Sequence, residues 1–594
     1  MNYKQVIKLL VVCWLQSLMA IGQNYWAFSS LVEDLRLNVG TTDLSAVGDI
    51  TLDEPRLAYV NLTGFASIPN SKHSTRRGWM EFYDGNGHYF RKRITIHGQG
   101  GYSLRFPKNN FSCLFCEDEW IGEHTTDIRF GDWVKQDGFH FKAFYTDFSR
   151  GVGEIGYKIF EHFVEDRLSY WERAGYMNES RARCFPDGFP VVVYIEGSYL
   201  GVYAWQLKKH RKNMNMEKHE AQHIHLDGNI RNDFLFNGRV GWNEFEVRNP
   251  KDLYTKNGEE YDGNHPTELM SEASTYYPSD NDHSDAAEGK RRSAQVKAAI
   301  LSLSNYHHEL TDLENAGVGE EALKTHFEAC FDMQSLIDYV LFFYFSANGD
   351  GSLKNWQWFT YDGRKWMVTP YDLDQTLGLG LYGQIRPCFF PIEYLTSGPF
   401  YWLHRYYQKE IRERWHQLRQ EGHLTAEALV SIADDWCDRV GETFYDLERE
   451  QWPLSPCYCE PICNDGWKTS DRWHEYSQTK DFSFSTVYEP GSLAKLQGRL
   501  WEATETVQGV YPFLRNANPD SIGRLDAWLP ERIAFIDDFF DYRDPSAIQQ
   551  MPADEDNGDV VAIYTLSGMR VDHPTKGLYI FRYCNGRSRK IFVR

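Results

Sequence analysis

Alternating hydrophobic and polar residues predict a series of β-strands in the first half of the chain. From Arg56 the segments LAYVNLTGF, GWMEFYD and HYFRKRITIHG follow the period of two that is typical of half-buried strands. The GNG turn at 85–87 predicts a hairpin between the second and third of them. GFHFKAFY predicts a further strand, and FPVVVYIEGSYLGVYAWQL predicts two strands around the turn at 197–198. The pattern indicates a mixed β-sheet in this part of the chain.

Helical periodicity follows the TDFSRG turn and then dominates the second half. Ile155, Ile159, Phe160 and Phe163 share one face of a predicted helix. From Met333 the segment MQSLIDYVLFFYFSA predicts a helix that is buried on most sides. A polar surface insertion that ends in a helix is predicted at 250–295. Amphipathic segments predict a helical C-terminal region at about 398–420, 424–450, 491–515 and 529–542.

One predicted hairpin lies between chemically suggestive polar residues. NWQWFTYDGRKWMVTPYD reads as two strands turned at Asp362, with Asp350 and Asn355 at its start and Asp372 and Asp374 at its end. The hairpin brings Asn355 and Asp372 to neighbouring strand ends, where they can share a metal ion. Phosphoryl transfer needs a carboxylate that orients the acceptor hydroxyl and oxygen ligands that hold Mg²⁺, and protein kinases carry them in this order. The spacing favours a kinase-like metal site.

Two simpler interpretations of these residues stay open. Asp350 and Asn355 can be turn residues, with Asp372 capping the next element. A calcium loop is a weaker rival, because DLDQTLG lacks the later acidic ligand of such loops.

The net charge and the composition limit the kinds of molecule that the chain is expected to bind. The net charge of −21 argues against binding to nucleic acid or to an anionic membrane, so an ATP site must concentrate its Lys and Arg locally. The 42% of hydrophobic residues indicates a globular chain, and the 15% of aromatic residues suits either core filling, which explains most of them, or a glycan-binding surface.

The N-terminus predicts export. Lys4 and Lys8 precede the apolar stretch 9–21, and small residues allow cleavage before Gln23, as in a signal peptide over 1–22. No later apolar run predicts an integral membrane span. In an exported chain, the CxxC at 113–116 and Cys457, Cys459 and Cys463 favour disulfides over zinc, with free thiols also open and the pairing undetermined.

Several blocks in order resemble the CotH kinase family of atypical secreted protein kinases. They are ITIHGQGGYSLRFPKNNF, FKAFYTDFSRGVGEIGYKIF, VVYIEGSYLGVYAWQL and SLIDYVLFFYFSANGDGSLKNWQWFTYDGRKWMVTPYDLDQTLG. The resemblance covers roughly residues 55–385 and continues more thinly to about 545. The sequence departs from the family pattern at the basic end that holds the nucleotide. His97 stands where the family usually has Arg, and Val152 takes a position that is often Arg. Glu196 replaces an Asn, and Leu207 falls where many members place Glu.

The resemblance implies an ATP- and Mg²⁺- or Mn²⁺-dependent kinase that phosphorylates Ser or Thr of an exported protein. It makes Asp350 the catalytic carboxylate, and it makes Asn355 and Asp372 metal ligands with Asp374 as a second candidate. The candidate nucleotide-binding cations are Lys108, Arg105 and Lys142. Lys142 is also readable as a solvated strand residue. The glycine turn at 98–101 is readable as a phosphate-binding turn or as a strand bend.

These observations together predict an α+β fold with an atypical kinase-like domain. The predicted parts are a signal peptide at 1–22, an N-terminal extension at 23–55, the kinase-like domain at 56–545 and a C-terminal β domain at 546–594. The tail is similar to C-terminal sorting domains of Bacteroidetes surface proteins, and an ordinary small β-sandwich is the alternative. The alternative function is a catalytically inactive scaffold or glycan-binding protein at the cell surface. The oligomeric state and the acceptor protein are not predicted.

Overall fold

The structure is a computed structural model of the chain. It describes residues 25–39, 41–65, 69–116, 126–167, 184–228, 245–348, 351, 355–380, 383, 388–389, 392, 399–452, 463–476, 478–496, 499–510, 512, 524–543, 560–565, 570–571, 573–574, 577–583 and 588–593. The signal peptide predicted at 1–22, Asp350, Cys457 and Cys459 lie outside these ranges.

The described chain contains both helices and strands, largely in separate runs, which confirms the α+β class. The helices are α1 Phe28–Val39, α2 Val152–Val164, α3 Asp285–Asn315, α4 Glu320–Cys330, α5 Met333–Ser346, α6 Pro399–Tyr406, α7 Gln408–Gln420, α8 Ala426–Val440, α9 Glu442–Gln451 and α10 Arg524–Phe539. The first strands are β1 Thr42–Asp43, β2 Ile50–Leu52, β3 Ala58–Thr63, β4 Arg76–Tyr83, β5 His88–Gln99, β6 Asn110–Cys116, β7 Ile128–Phe130, β8 Gly138–Lys142, β9 Gly188–Ile195 and β10 Ser198–Leu207. The remaining strands are β11 Ile224–Gly228, β12 Phe245–Asn249, β13 Trp356–Thr360, β14 Met367–Pro370, β15 Trp467–Thr469, β16 Leu493–Leu496, β17 Arg499–Ala503, β18 Val560–Thr565, β19 Arg570–Val571, β20 Gly577–Tyr583 and β21 Ser588–Val593.

The largest sheet closes on itself. Its strand order is β1-β5-β4-β3-β9-β10-β8-β6, and β6 pairs again with β5, so every strand except β1 belongs to a closed ring. The predicted mixed sheet is confirmed, because β3 runs parallel to β9 whereas the other ring neighbours are antiparallel. Inward-facing aromatic side chains such as Phe82, Phe115 and Trp205 fill its core. Core packing thus accounts for the aromatic residues inside this sheet.

A second sheet carries the hairpin that the sequence singled out. Its order is β12-β11-β13-β14, and β13 and β14 form the predicted hairpin with Trp356 opposite Pro370. Helix α5 packs on β14 and is buried almost all round, as its sequence predicts. The last carbonyls of α5 lack partners within the helix. Buried Arg532 of α10 donates to the carbonyls of Tyr344 and Phe345, and Leu377 N–H donates to that of Ser346.

The helical prediction for the C-terminal region is correct for α6 to α9 and for α10, but it is wrong at 491–515. There β16 and β17 form a hairpin that joins β15 in a three-stranded sheet with its own core around Trp467, Tyr488 and Trp501. Both strands are short, so their alternation is too brief to outweigh the helical spacing of their leucines. Their partner strand lies outside the predicted segment, where a local pattern carries no information about it.

The structure also bears on the CxxC cysteines and on the N-terminal extension. Cys113 and Cys116 are free thiols on β6, because residues three apart on a strand point to opposite faces about 10 Å apart, beyond disulfide reach. The segment predicted as an N-terminal extension contains α1, whose Phe28, Leu31 and Val32 fall at helical spacing and are buried.

The chain divides into two compact units, residues 1–540 and 541–594. In the second unit, the described strands form one antiparallel sheet in the order β19-β18-β20-β21, and the sandwich stays a prediction. Among the helices that the structure describes, none combines the length and the apolarity that crossing a bilayer requires.

Candidate active site

The hairpin ends bring Asn355 and Asp372 side by side. The backbone carbonyl of Asn355 accepts a hydrogen bond of 2.9 Å from Tyr371 N–H, which extends the β13–β14 ladder by one step and leaves Asp372 as the next residue. Both residues adopt left-handed backbone conformations, with φ of +62° and +54°. Asn and Asp tolerate this conformation better than most residues do, and such strain clusters at functional sites.

Lys142 at the end of β8 reaches across to this pair. Its Nζ lies 3.1 Å from Asp372 Oδ1, and its side chain is 5% exposed against 34% for that of Asp372. Burial alone opposes the charged form of the lysine, but Asp372, Tyr371 and Asp374 outweigh it and raise the pKa of Lys142. Lys142 is therefore a permanent cation beside a half-exposed carboxylate.

Asp374 lies in the short 3₁₀ turn Leu373–Gln375 directly after Asp372, and its side chain is half-buried. Its negative charge contributes to the raised pKa of Lys142, so it belongs to the same electrostatic neighbourhood. The structure thus brings Lys142, Asn355, Asp372 and Asp374 together from β8 and from the two ends of one hairpin.

Helix α2 holds the backbone of Asp372 in place. Asp372 N–H donates to the hydroxyl of the buried Tyr157 at 2.9 Å. At Gly156, one residue earlier, a Cβ would lie 3.0 Å from the Leu373 side chain, so glycine there allows the close approach of helix and turn. The sequence carries no local signal for this contact, because Tyr157 reads as one more buried aromatic residue on a helix face.

We expect Tyr157→Phe to lower the free energy of unfolding by about 1–3 kcal/mol, because it leaves the partly buried Asp372 N–H without its acceptor. Urea denaturation measures the loss. Tyr276→Phe is the matched control, since its side chain is 56% exposed, and we expect a change within about 0.5 kcal/mol there. An equal loss in both variants would contradict the role of the Tyr157 hydroxyl.

The loop that carries Asp350 is anchored on both sides. Asn348 Oδ1 accepts from Gly351 N–H at 2.9 Å, and the Gly351 carbonyl accepts from the hydroxyl of Tyr339 in α5 at 2.9 Å. Asp350 itself lies outside the described residues. The described ends of its loop start from the C-terminus of α5 and lead into Asn355, at the same end of the hairpin as Asp372.

Lys108 is not brought to this group of residues. Its side chain is fully buried, and its Nζ pairs with the Glu448 carboxylate of α9 and donates to the carbonyl of Val202. Arg150 Nε donates to the same carboxylate at 2.8 Å. Burial lowers the pKa of Lys108 to about 7 against the opposing effect of Glu448. The structure therefore places Lys108 in a buried ion cluster that joins the closed sheet to α9.

Arg105 lies at the surface, whereas Gly98 in the glycine turn is buried. Arg105 ends the 3₁₀ turn Tyr102–Arg105 with an exposed side chain. Gly98 N–H donates to the carbonyl of Ser71 at 3.0 Å, and a Cβ at Gly98 would lie 2.9 Å from Ser71 N. Close packing of the 69–71 segment thus explains glycine at this position.

Lys209 is a second cation beside Tyr371, the residue before Asp372, that the sequence analysis missed. Its Nζ lies 4.4 Å from the centroid of the Tyr371 ring and pairs with the buried Asp227 of β11. Lys142 and Lys209 therefore both lie close to Tyr371, the residue before Asp372. A lysine that follows a strand carries no signal of this role by itself, because the contact depends on β11 and the hairpin meeting in one sheet.

The donor set fits a hard divalent cation. Carboxylate oxygens of Asp372 and Asp374 and the amide oxygen of Asn355 are the ligand types that Mg²⁺ prefers, and they come from one strand-end cluster. The half-exposed Asp372 is accessible to a ligand from solvent, whereas Asn355 is 9% exposed. The arrangement places candidate oxygen ligands for a cation beside the positive charge of Lys142.

Comparison with known proteins adds one match. A family model described as CotH kinase protein matches residues 94–476, more than half of the 594 residues. The matched stretch includes all seven residues that the sequence analysis proposed for the site and ends before α10. No curated protein matches the chain.

Proposed function

The chain belongs to the CotH kinase protein family, and from this premise we propose that it transfers the γ-phosphoryl group of ATP, with Mg²⁺ or Mn²⁺, to Ser or Thr of a protein outside the cytoplasm. The observation that carries the proposal is the 3.1 Å contact between Lys142 and Asp372 beside the strand end of Asn355. A cation next to metal-type ligands is the arrangement that phosphoryl transfer requires.

Each residue has a distinct role in the proposal. Asp372 and Asn355 hold the metal ion, with Asp374 as a further oxygen ligand, and when bound the ion neutralises phosphate charge and orients the phosphates. Lys142 holds Asp372 in position and supplies positive charge to the nucleotide. Asp350 orients the acceptor hydroxyl and takes its proton, a role that rests on the family resemblance. Tyr157 keeps the Asp372 backbone in place from α2.

The direct test is transfer of labelled phosphate by the purified full chain. We expect label from γ-labelled ATP to reach the chain itself or native envelope proteins in the presence of Mg²⁺ or Mn²⁺, and to disappear when EDTA removes the metal. Acid hydrolysis of the product identifies phosphoserine or phosphothreonine. The absence of any metal-dependent transfer would overturn the enzymatic proposal and leave the family fold as a scaffold.

Substituting Lys142 and Lys108 in turn tests which of these two buried lysines acts on ATP. We expect Lys142→Met to lower kcat/KM for ATP by about 10²-fold, because a preorganised charge of this kind is typically worth that much in transfer. Lys108→Met is expected to act on the free energy of unfolding instead, since its partner is Glu448. Lys365→Met, an exposed lysine in the turn of the β13–β14 hairpin, is the control and should retain the parent kcat/KM. A tenfold rise in the KM for ATP with Lys108→Met alone would reverse the assignment.

Export is part of the proposal and rests on the sequence of residues 1–22. Expression of the whole chain in a bacterial host, followed by fractionation and N-terminal sequencing, tests it. We expect a mature chain that starts at Gln23 outside the cytoplasm. Recovery of the uncleaved chain in the cytoplasm alone would contradict it.

A further inference from the structure

Lys209 lies beside the candidate active site and has no role in the proposal above. It comes two residues after β10, and its Nζ lies 4.4 Å from the centroid of the Tyr371 ring. Lys142 Nζ lies 6.0 Å from the centroid of the same ring. Two ammonium groups from separate segments of the chain therefore lie close to the residue that precedes Asp372.

The contacts of Lys209 fix where its charge lies. Its Nζ pairs with the carboxylate of Asp227 on β11. Asp227 lies opposite Gln357 on β13, and Gln357 lies opposite Thr369 on β14, so these side chains share one face of the second sheet. Tyr371 comes two residues after Thr369, at the end of β14 that leads into the candidate metal site. The Lys209 ammonium thus lies over this face of the sheet, next to the hairpin end.

Lys209 is accessible to a ligand and can bind one without leaving Asp227 unpaired. Its side chain is 19% exposed, whereas that of Lys142 is 5% exposed. An ammonium group has three N–H donors, so it can donate to a phosphate oxygen while it stays paired with a carboxylate. Arg248 Nη2 also lies 3.2 Å from the Asp227 carboxylate, which therefore keeps a cationic partner if Lys209 is replaced.

The charges in this region favour a nucleotide that carries a metal ion. The bases are Lys142, Lys209 and Arg248, and the acids are Asp227, Glu246, Asp372 and Asp374. One further base, Lys208, is offset by Asp137. Glu154, near Lys142, is uncharged at pH 7, because burial and Asp187 raise its pKa to about 8. The acids exceed the bases by one, so a divalent ion on the carboxylates after the hairpin makes the region positive.

We propose that Lys209 binds the β- or γ-phosphate of the nucleotide and thereby helps the site to select a nucleoside triphosphate over a monophosphate. This inference rests on the proposed function for the identity of the ligand. In phosphoryl transfer the metal ion bridges the β- and γ-phosphates. A metal ion at Asp372 brings these phosphates next to Tyr371, where Lys209 lies. AMP has neither phosphate and gains nothing from this ammonium.

Calorimetric titration of the purified full chain in the presence of Mg²⁺ measures this contribution. The probes are the non-hydrolysable β,γ-imido analogue of ATP and AMP. We expect Lys209→Met to weaken binding of the ATP analogue at least tenfold, since a charge-assisted hydrogen bond typically contributes that much to affinity, and to leave AMP binding within threefold of the parent. Lys209→Arg keeps the charge and should bind the analogue within threefold of the parent chain.

Lys212→Met is the matched control, because Lys212 belongs to the same segment and its Nζ also pairs with an aspartate, Asp127, at 3.0 Å. It should bind the ATP analogue within twofold of the parent, and circular dichroism establishes that each variant is folded. A loss below tenfold for folded Lys209→Met, an equal loss for AMP, or a parent chain that does not bind the analogue would overturn the inference.

The labelled-phosphate assay separates this inference from the proposed function. Phosphoryl transfer by the parent, combined with normal binding of the ATP analogue by Lys209→Met, would contradict the role of Lys209 alone. Binding of the analogue that depends on Lys209, combined with no transfer by the parent, would support the role of Lys209 and contradict the enzymatic proposal alone.

Discussion

Replacing Asp372 with alanine is expected to reduce phosphoryl transfer by about 10³-fold, the upper range for loss of a preorganised electrostatic group in an active site. Two effects combine in this variant. It removes a metal ligand, and it leaves the buried Lys142 without its carboxylate partner at 3.1 Å. The measurement is the initial rate of label transfer from ATP at saturating metal, together with the metal concentration that gives half of the maximal rate.

Asp362→Asn is the matched control for this prediction because it lies at the other end of the same hairpin. Asp362 Oδ1 accepts from the N–H groups of Arg364 and Lys365 at 2.8 Å, and an asparagine oxygen can accept the same bonds. We expect its transfer rate to stay within twofold of the parent rate. A transfer rate for Asp372→Ala within tenfold of the parent would show that Asp372 is not a metal ligand in the reaction.

Glu448→Ala is expected to lower the free energy of unfolding by about 3–5 kcal/mol, the range for breaking a buried ion pair from one side. The loss should fall at the upper end, because Lys108 and Arg150 both lose their shared counter-charge. Val202 N–H, which donates to Glu448 at 2.8 Å, also loses its acceptor. Gly201 shows how tight this packing is, since a Cβ there would lie 2.9 Å from both Glu448 and Lys108.

The control for Glu448 comes from the same helix. Glu450→Gln changes an exposed residue of α9 and should shift the free energy of unfolding by less than about 0.5 kcal/mol. The double variant Lys108→Met/Glu448→Leu should recover part of the loss, because it replaces the charged pair with apolar groups and leaves Arg150 bonded to the carbonyls of Phe144 and Asp147. A loss below 1 kcal/mol for Glu448→Ala would mean that water reaches the ion cluster.

Local periodicity predicted the elements whose partners lie nearby in sequence. The β4–β5 hairpin, the β9–β10 hairpin and the β13–β14 hairpin each join adjacent segments, so the alternation and the turn residues suffice. The close approach of Asn355 and Asp372 follows directly from the third of these hairpins. The closure of the large sheet was not predictable in this way, because it depends on the strand that β5 meets on its second edge.

The partners of the basic residues could not be predicted from the local sequence. Lys108 and Lys142 are both strand-associated lysines in an acidic chain, and nothing in their local sequence says which of them meets Asp372. The structure separates them through residues that are remote in the chain: Asp372 for Lys142 and Glu448 for Lys108. Tyr157 and Lys209 were missed for the same reason, since their roles depend on contacts with the far end of the hairpin.

The cap that Arg532 provides for α5 has a consequence for the order of events during synthesis. A chain emerges N-terminus first, so the closed sheet is complete once β10 has appeared, long before α10 exists. Until Arg532 has been synthesised, the carbonyls of Tyr344 and Phe345, just before the Asp350 loop, lack their buried donor. The nascent protein therefore holds a complete closed sheet beside a helix whose C-terminus is not yet capped, and we expect the proposed phosphoryl transfer to begin only after α10 has docked.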